Sequence, residues 1–212
     1  MIKSLLVHGY FMTNCYLFID DKTKHGFLID PGAEPRKIIN TINDNGFIIE
    51  KIFITHGHFD HTAEAERLSA VLHAPIYMHE AGKRYAEDTV WNLSAECGLH
   101  VELDTVNYFN DDKVFALESN PDFKLKVIHV PGHTPDSVMF YSEKEKTAFV
   151  GDSIFSGSIG TSQYYGGNYN DLIESVFKKI LALPDDTVLY SGHSKPTTVG
   201  AEKQRILASL NR

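Results

Sequence analysis

The chain contains little cysteine. Its 212 residues include only Cys15 and Cys97, which cannot form the disulfide framework of a small secreted scaffold, and neither belongs to a Cys-x-x-Cys pair. Long hydrophobic runs are also lacking, since no stretch approaches the roughly 20 apolar residues that cross a bilayer. His8 and Gly9 interrupt the apolar patch at residues 5–7 before a signal-peptide core can form. We therefore expect a cytoplasmic protein without a membrane partner.

Basic residues are in the minority. Lys and Arg total 20 against 28 Asp and Glu, which gives a formal net charge of -8. No basic tract indicates a nucleic-acid partner. With 42% hydrophobic residues, the chain is long enough for one domain with a sizeable core and short for two independent ones. We expect residues 1–212 to form a single domain, and the sequence does not indicate its oligomeric state.

Strand and helix patterns alternate along the chain and predict an α/β layered fold with partly antiparallel sheets. Strands are predicted at residues 5–7, 15–19, 26–29, 49–54, 75–78, 123–130, 137–141, 147–150 and 188–190. Helices are predicted at residues 35–45, 62–72, 171–183 and 201–210. Residues 81–112 show no clear pattern. We interpret this segment, with Trp91 and Cys97, as a helix or excursion that covers the active site or a sheet edge.

Metal-type ligands are concentrated in one stretch. Residues 55–61, Thr-His-Gly-His-Phe-Asp-His, place three imidazoles and a carboxylate directly after the apolar run 52–54. Histidine and aspartate are ordinary zinc ligands, and alternate spacing on an extended loop lets several of them point at one centre. A polar loop would be the simpler interpretation of a lone histidine pair. Four potential ligands so close together instead favour metal binding and suggest more than one ion.

Three later positions share one local pattern, in which an apolar strand ends, a glycine allows a tight turn, and a metal-type ligand follows. Each is a weak signal by itself, because a His or Asp after Gly is common in solvated loops. The early loop and these positions together give seven candidate ligands: His56, His58, Asp60, His61, His133, Asp152 and His193. Seven suffice for two ions that share one carboxylate and leave positions open for solvent or substrate.

Six motifs extend over nearly the whole chain: TNCY at 13–16, DPG at 30–32, THGHFDH at 55–61, PGHTPDS at 131–137, GDSIFSGSIG at 151–160 and SGHSKPTTVG at 191–200. In this order they resemble the metallo-β-lactamase superfamily, and most of all its glyoxalase II (hydroxyacylglutathione hydrolase) branch. The resemblance implies a four-layer αββα sandwich with mixed sheets and the metals at one edge. It also implies a ligand set for each ion. The first ion would have His56, His58 and His133, the second Asp60, His61 and His193, with Asp152 as the bridge.

The sequence departs from this branch at three points. Asp136 stands where related short-chain members usually have Gly, and residues 161–163, Thr-Ser-Gln, replace a frequent Arg-Thr-Asp. Full-length glyoxalase II enzymes also carry a C-terminal helical domain that helps to bind glutathione, whereas this chain ends soon after the last candidate ligand. We expect a short form, and the resemblance leaves open whether its substrate contains glutathione.

The predicted cofactors are two divalent ions, zinc or alternatively iron or manganese. Such ions lower the pKa of a shared water from about 15.7 to about 7 and so supply hydroxide at neutral pH. The predicted catalytic residues are Asp152, as the bridge, and Asp60, which would orient the hydroxide. No dedicated general acid is evident near the ligands, and a thiolate leaves without one because a thiol has a pKa of about 8.5. We therefore expect a thioester or a related small acyl compound as substrate.

The lining of the substrate cleft is predicted from aromatic residues beside the motifs, which could equally pack the sheet edges: Tyr10, Phe11, Tyr164 and Tyr165. The other histidines are assigned to structure or surface: His8, His25, His73, His79, His100 and His129. Two other activities stay open. One is a persulfide dioxygenase with a single iron on His56, His133 and Asp152, and the other is a lactonase. A metal-stabilised module without activity is disfavoured, because structural zinc normally closes with four protein ligands.

Overall fold

Two six-stranded β-sheets organise the chain, according to a computed structural model that describes residues 1–210. The first sheet contains, in spatial order, β1 (Ile2–His8), β2 (Met12–Ile19), β3 (His25–Ile29), β4 (Ile48–Phe53), β5 (Ile76–His79) and β6 (Val106–Phe109). β1, β2 and β3 pair antiparallel, whereas β3 to β6 pair in parallel. The predicted partly antiparallel arrangement is therefore confirmed, with β1 to β3 as the antiparallel half of a mixed sheet.

The second sheet is mixed as well. It contains, in spatial order, β7 (Val114–Ala116), β8 (Lys124–His129), β9 (Val138–Ser142), β10 (Thr147–Gly151), β13 (Val188–Ser191) and β14 (Thr197–Thr198). Only β10 and β13 pair in parallel. A small hairpin between β10 and β13 is formed by β11 (Ile154–Phe155) and β12 (Ser158–Ile159).

The helices connect the strands and cover the outer faces of the sheets. They are α1 (Pro35–Asp44), α2 (Phe59–Thr62), α3 (Ala65–Leu72), α4 (Lys83–Glu87), α5 (Tyr169–Ser175) and α6 (Val199–Leu210). A π-helical turn, Val176–Ile180, continues α5, and 3-10 turns occupy Glu80–Gly82 and Ala95–Cys97. Among the helices of residues 1–210, none is long and apolar enough to cross a membrane.

Alternating side chains of the strands build three hydrophobic layers. In β2, Leu17 faces the first outer layer together with Ile38 of α1 and Leu68 of α3. Its neighbour Phe18 faces the other sheet, where its ring lies 5.5 Å from that of Phe149. Because successive side chains of a strand point to opposite faces, one strand serves both layers.

The second sheet repeats this arrangement. Phe149 of β10 belongs to the layer between the sheets, while Ala148 and Val150 pack against Leu172 and Val176 on the other outer face. Helices, sheet, sheet and helices therefore form four layers. The predicted four-layer αββα sandwich with mixed sheets is confirmed.

The predicted helix at 62–72 was wrong in its extent. It is divided into α2 and α3, because the backbone N–H of Glu64 donates to the carbonyl of Pro31 at 3.0 Å instead of continuing the helical hydrogen bonds. Asp60 and His61 consequently lie on a helical turn rather than on an extended loop.

Residues 81–112 form an excursion rather than a continuous helix. Trp91 lies in a turn and Cys97 ends a 3-10 turn, and the segment includes the edge strand β6. Both cysteines are free, as the sequence indicates.

Candidate metal centre

The seven predicted ligands follow strand ends at one edge of the two sheets. β8, β10 and β13 run in the same direction, so their carboxyl ends meet, and the segments after them carry His133, Asp152 and His193. The other four come from the segment after β4 and from α2. The structure brings all seven side chains into three overlapping groups whose nitrogen and oxygen atoms lie within 4.8 Å of one another.

The first cluster consists of His56, His58 and His133, which are all buried. Nδ1 of His58 lies 3.1 Å from Nε2 of His56 and 3.0 Å from Nε2 of His133. Nitrogens at the corners of a tetrahedron with metal–nitrogen bonds of 2.0–2.1 Å are separated by about 3.3 Å. The spacing of the three nitrogens is therefore close to that of a tetrahedral site.

The outer ring nitrogens fix the tautomers of this cluster. Nδ1 of His133 donates to the carbonyl of Thr161 at 2.7 Å, and Nδ1 of His56 lies 3.2 Å from the hydroxyl oxygen of Thr55. Both rings therefore turn an Nε2 lone pair inward. His58 instead turns Nδ1 inward, and its Nε2 has no hydrogen-bond partner within residues 1–210. With Nδ1 of His58 deprotonated, the three inward nitrogens would present three lone pairs to a cation.

The second cluster consists of Asp60, His61 and His193. Oδ2 of Asp60 lies 3.6 Å from Nε2 of His61 and 3.2 Å from Nε2 of His193. Hydrogen bonds from outside hold all three side chains. Thr13 donates to Asp60 at 2.9 Å, and Nδ1 of His193 donates to the carbonyl of Met12 at 2.8 Å.

Asp30 is a functional residue to which the sequence analysis gave no role. Its Oδ2 accepts a hydrogen bond from Nδ1 of His61 at 2.9 Å, and its two oxygens also accept from the backbone and hydroxyl of Thr55 at 2.8 and 2.7 Å. Asp30 thus joins the two clusters through His61 and Thr55. The available signal was a carboxylate directly after a buried strand in the 30–32 motif.

Asp152 lies between the two clusters. Its Oδ1 is 3.5 Å from Nε2 of His61, and its Oδ2 is 3.2 Å from Nε2 of His193 and 3.8 Å from Nε2 of His133. Among residues 1–210, Oδ1 has no hydrogen-bond partner. A carboxylate with one oxygen free and contacts to both clusters has the position that a bridging ligand requires.

The protonation of the two clusters differs. Burial lowers the pKa of His58 to about 3, and it also lowers the pKa values of His56 and His133, so these three imidazoles are neutral. In the second cluster, Asp60 and Asp152 overcome the opposite effect of burial and raise the pKa of His61. Hydrogen bonds to the same carboxylates raise the pKa of His193 to about 10. Without metal, the imidazoles of the first cluster are therefore neutral, and those of the second cluster are protonated.

Two of the predicted cleft residues lie beside the first cluster. The ring of Tyr164 is 5.4 Å from that of His58 and 6.1 Å from that of His133. Tyr165 stacks on Trp91 with ring centroids 6.2 Å apart, and the guanidinium of Arg84 lies 3.8 Å from the centroid of Trp91. The 81–112 excursion thus supports this wall through Trp91, a contribution the sequence did not reveal.

The other two predicted cleft residues lie beside α2. The rings of Tyr10 and Phe11 are 6.3 and 5.9 Å from that of Phe59, which α2 places next to Asp60. Tyr10 and Phe11 are 62% and 45% exposed, as is typical of a surface that contacts a ligand. Their role in substrate binding stays a prediction.

A profile of the metallo-beta-lactamase superfamily matches residues 8–193. The chain belongs to the metallo-beta-lactamase superfamily. It is 32% identical over 198 residues to "Hydroxyacylglutathione hydrolase GloC" of Haemophilus influenzae, which spans 92% of this chain and 91% of that protein. It is 31% identical over 198 residues to "Probable metallo-hydrolase YqgX" of Bacillus subtilis, with 93% and 92% covered.

Two solved structures show the same fold. "BLEG-1 B3 metallo-beta-lactamase" superimposes with a TM-score of 0.90 at 30% identity and covers 96% of this chain and 97% of its own. TTHA1623 "in a di-iron-bound form" superimposes with a TM-score of 0.82 at 31% identity, with 94% and 96% covered. These similarities confirm the superfamily and fold and leave the glyoxalase II branch a prediction.

Proposed function

We propose that the protein is a hydrolase that holds two divalent ions and cleaves a thioester or a related small acyl compound. The observation that carries this proposal is the arrangement of two ligand clusters on either side of Asp152. The inward nitrogens of the first cluster lie 3.0 and 3.1 Å apart, and Asp152 reaches both clusters. We also propose that the enzyme is cytoplasmic and that its substrate is a small molecule. We propose no nucleic-acid or membrane partner.

Bound metal ions at such a centre would polarise a carbonyl and lower the pKa of water to about 7. The chain supplies the rest. Three neutral imidazoles of the first cluster add no negative charge, and so they leave an ion there electron-poor. Burial acts to raise the pKa of Asp60, but the nearby His61 outweighs it, and the pKa is lowered. A hydrogen bond of 2.9 Å from Thr13 holds the Asp60 carboxylate in place. The ionised Asp60 can therefore accept a hydrogen bond from the attacking water and orient it.

The aromatic surroundings of the centre favour a small acyl substrate. The ring of Tyr164 lies nearly perpendicular to that of His58, with an interplanar angle of 83°. The walls on both sides are aromatic, and aromatic walls favour a small acyl group by apolar contact. A thiolate can leave without a general acid. The name of the Haemophilus influenzae relative, a hydroxyacylglutathione hydrolase, supports a thioester as the substrate.

Zinc is the proposed metal, because five imidazoles and two carboxylates suit it. The same ligands suit iron, and the similarity to a protein solved in a di-iron-bound form makes iron the specific alternative.

The experiment combines metal analysis with a substrate panel. The purified protein is assayed for metal content and for hydrolysis of S-acyl glutathiones, glutathione-free thioesters, a lactone and a β-lactam, with and without chelator. We expect at least two metals per chain and chelator-sensitive thioester hydrolysis.

The variant Asp152→Ala should lose hydrolysis and metal while staying folded, whereas the exposed control His100→Gln should keep both. Fewer than one metal per chain, or no chelator-sensitive thioester hydrolysis, would contradict the proposal. Oxygen uptake with glutathione persulfide would instead indicate a dioxygenase.

A further inference from the structure

A second group of metal-type side chains lies outside the candidate centre. His79 ends β5, Asp111 lies in the turn between β6 and β7, and His129 ends β8. We call these three residues the outer cluster. Their ligand atoms lie within 4.8 Å of one another, and they share no residue with the first or second cluster. The sequence predicts only a structural or surface role for both histidines.

The orientation of His129 creates an unusual contact. Its Nε2 lies 2.7 Å from the carbonyl oxygen of Pro135. A carbonyl only accepts hydrogen bonds, so Nε2 carries a proton and Nδ1 is the nitrogen left to bind a cation. Nδ1 faces Oδ1 of Asp111 at 3.3 Å. A nitrogen and a carboxylate oxygen in this position can hold a cation between them, which is either a proton or a metal ion.

His79 completes the group. Its Nε2 lies 2.9 Å from the same oxygen of Asp111. The separations of 2.9 and 3.3 Å from Asp111 are near the roughly 3.3 Å expected between ligands of a tetrahedral ion. Two imidazoles and one carboxylate suit borderline ions such as Zn²⁺, Co²⁺ and Ni²⁺ better than Mg²⁺ or Ca²⁺.

The outer cluster is open to solvent on one side, so an ion can enter, while the two imidazoles are largely buried. The side chains of His79 and His129 are 6% and 22% exposed, whereas that of Asp111 is 57% exposed. All three line an open surface cavity of about 850 Å³, which has room for water ligands. Burial also lowers the pKa of His79, so its imidazole is neutral and available as a ligand at neutral pH.

We propose that His79, Asp111 and His129 bind a third divalent transition-metal ion, with water completing its coordination. His129 would bind through Nδ1, which already faces Asp111. His79 would bind through Nε2 after its proton moves to Nδ1, which gives up the weak 3.3 Å hydrogen bond from the backbone of Ala81. The neighbouring rings, now 4.3 Å apart and 21° from parallel, would turn to direct both nitrogens at the ion.

This ion would connect the two sheets, because β5 belongs to the first and β8 to the second. His129 also holds the carbonyl of Pro135, in the loop that carries His133. Occupancy of the outer cluster would therefore stabilise that loop without contributing a ligand to the candidate centre.

The test counts zinc ions in the full-length protein. Wild type, Asp111→Asn, His129→Gln and the control His100→Gln are equilibrated at one buffered free Zn²⁺ concentration, and bound zinc is measured by mass spectrometry. His100 is a suitable control, because it is an exposed histidine beside a carboxylate, 3.5 Å from Glu102. Circular dichroism verifies that each variant is folded.

We expect Asp111→Asn and His129→Gln each to bind one zinc ion fewer than wild type, and His100→Gln to bind the same number. Anomalous scattering from zinc-soaked crystals should show an ion between His79, Asp111 and His129. The difference of one ion is independent of how many ions the candidate centre holds. Equal zinc counts in folded Asp111→Asn and wild type, without an anomalous peak at the outer cluster, would overturn the proposal and leave a shared proton there.

Discussion

Asp30 holds the ligand segment in place through three hydrogen bonds. It accepts from Nδ1 of His61 and from two groups of Thr55 at 2.7–2.9 Å. Removing such a partner of a metal-binding histidine typically lowers metal affinity 10–100-fold. Asn at position 30 would direct an amide N–H₂ at one of these donors, so His61 would lose its fixed tautomer.

We therefore expect Asp30→Asn to weaken binding of the ion at the second cluster by about 10–100-fold, with a smaller effect at the first cluster. Calorimetric zinc titration measures both affinities. The exposed Asp186, which pairs with Lys146, provides the control Asp186→Asn. Unchanged affinity in Asp30→Asn would show that Asp30 does not orient His61.

Asp136 is a buried carboxyl whose two oxygens have no hydrogen-bond partner within residues 1–210. It fits there because Gly82 has no side chain, since a Cβ at Gly82 would lie 2.7 Å from Oδ2 of Asp136. Burial raises the pKa of Asp136 from 3.8 to about 7. The folded protein therefore keeps this proton at pH values at which the unfolded chain has released it.

This shift makes stability depend on pH. Because the native pKa is raised, the contribution of Asp136 is fully present below about pH 4 and is lost as the pH rises to about 7. A shift of about 3 pH units corresponds to about 4 kcal/mol. The side chain in Asp136→Asn cannot ionise, so this variant should not lose stability in this way as the pH rises.

We expect the free energy of unfolding of Asp136→Asn, relative to wild type, to increase by up to about 4 kcal/mol between about pH 4 and about pH 8. Urea unfolding of both proteins at the two pH values measures the difference, in which other titrating groups cancel. A difference that is the same at both pH values would contradict the raised pKa.

The loop after β8 passes very close to α5. Gly132 has a φ of 137°, and a Cβ at this position would lie 2.1 Å from the backbone nitrogen of Leu172. His133 follows directly. The close approach of loop and helix thus positions one ligand of the first cluster.

Gly132→Ala should destabilise the fold by more than about 2 kcal/mol, since it adds both backbone strain and overlap with α5. It should also weaken metal binding at the first cluster. The control is Gly157→Ala, because Gly157 has a φ of 100° but a Cβ at this position would meet no other atom within 4 Å. Thermal unfolding that shifts equally in both variants would show that the overlap has no effect.

The strands that end at the metal centre could be predicted because they are buried and apolar. Residues 147–150 of β10 are all buried, as are 52 and 53 of β4. The edge strands β6 and β7 were missed, since they have four and three residues and each buries only one side chain. The division between α2 and α3 depends on a hydrogen bond to distant Pro31, and a local pattern does not contain that information.

At the scale of the whole molecule, the four-layer arrangement was predicted from the resemblance, and the layers then follow from alternating side chains. The structure brings together all seven predicted ligands. Three features could not be predicted, because each depends on side chains that are distant in sequence. These are the tautomers of the histidines, the hydrogen bonds of Asp30, and the contact between Trp91 and Tyr165.

The different protonation of the two clusters predicts different pH dependence of metal binding. The pKa of His61 is raised, and that of His193 is raised to about 10, so an ion at the second cluster must displace protons from both rings. An ion at the first cluster displaces no such proton from His58, because the pKa of His58 is about 3. Metal affinity rises with pH wherever a proton must leave the ligand.

We expect zinc affinity at the second cluster to rise steeply between about pH 6 and about pH 8, while affinity at the first cluster changes little. Titrations with Co²⁺, whose absorption reports each site, measure both constants at several pH values. The ion at the first cluster should bind first at the lower pH. Equal slopes for the two ions would contradict the assignment of the protons.

The central claim is that two ions are held on either side of Asp152. Anomalous scattering at the metal absorption edge, from crystals of the protein as purified, tests it most directly. We predict two peaks at the candidate centre, one in contact with His56, His58 and His133 and the other with Asp60, His61 and His193, with Asp152 contacting both. A single peak at this centre, or two peaks without Asp152 between them, would contradict the claim.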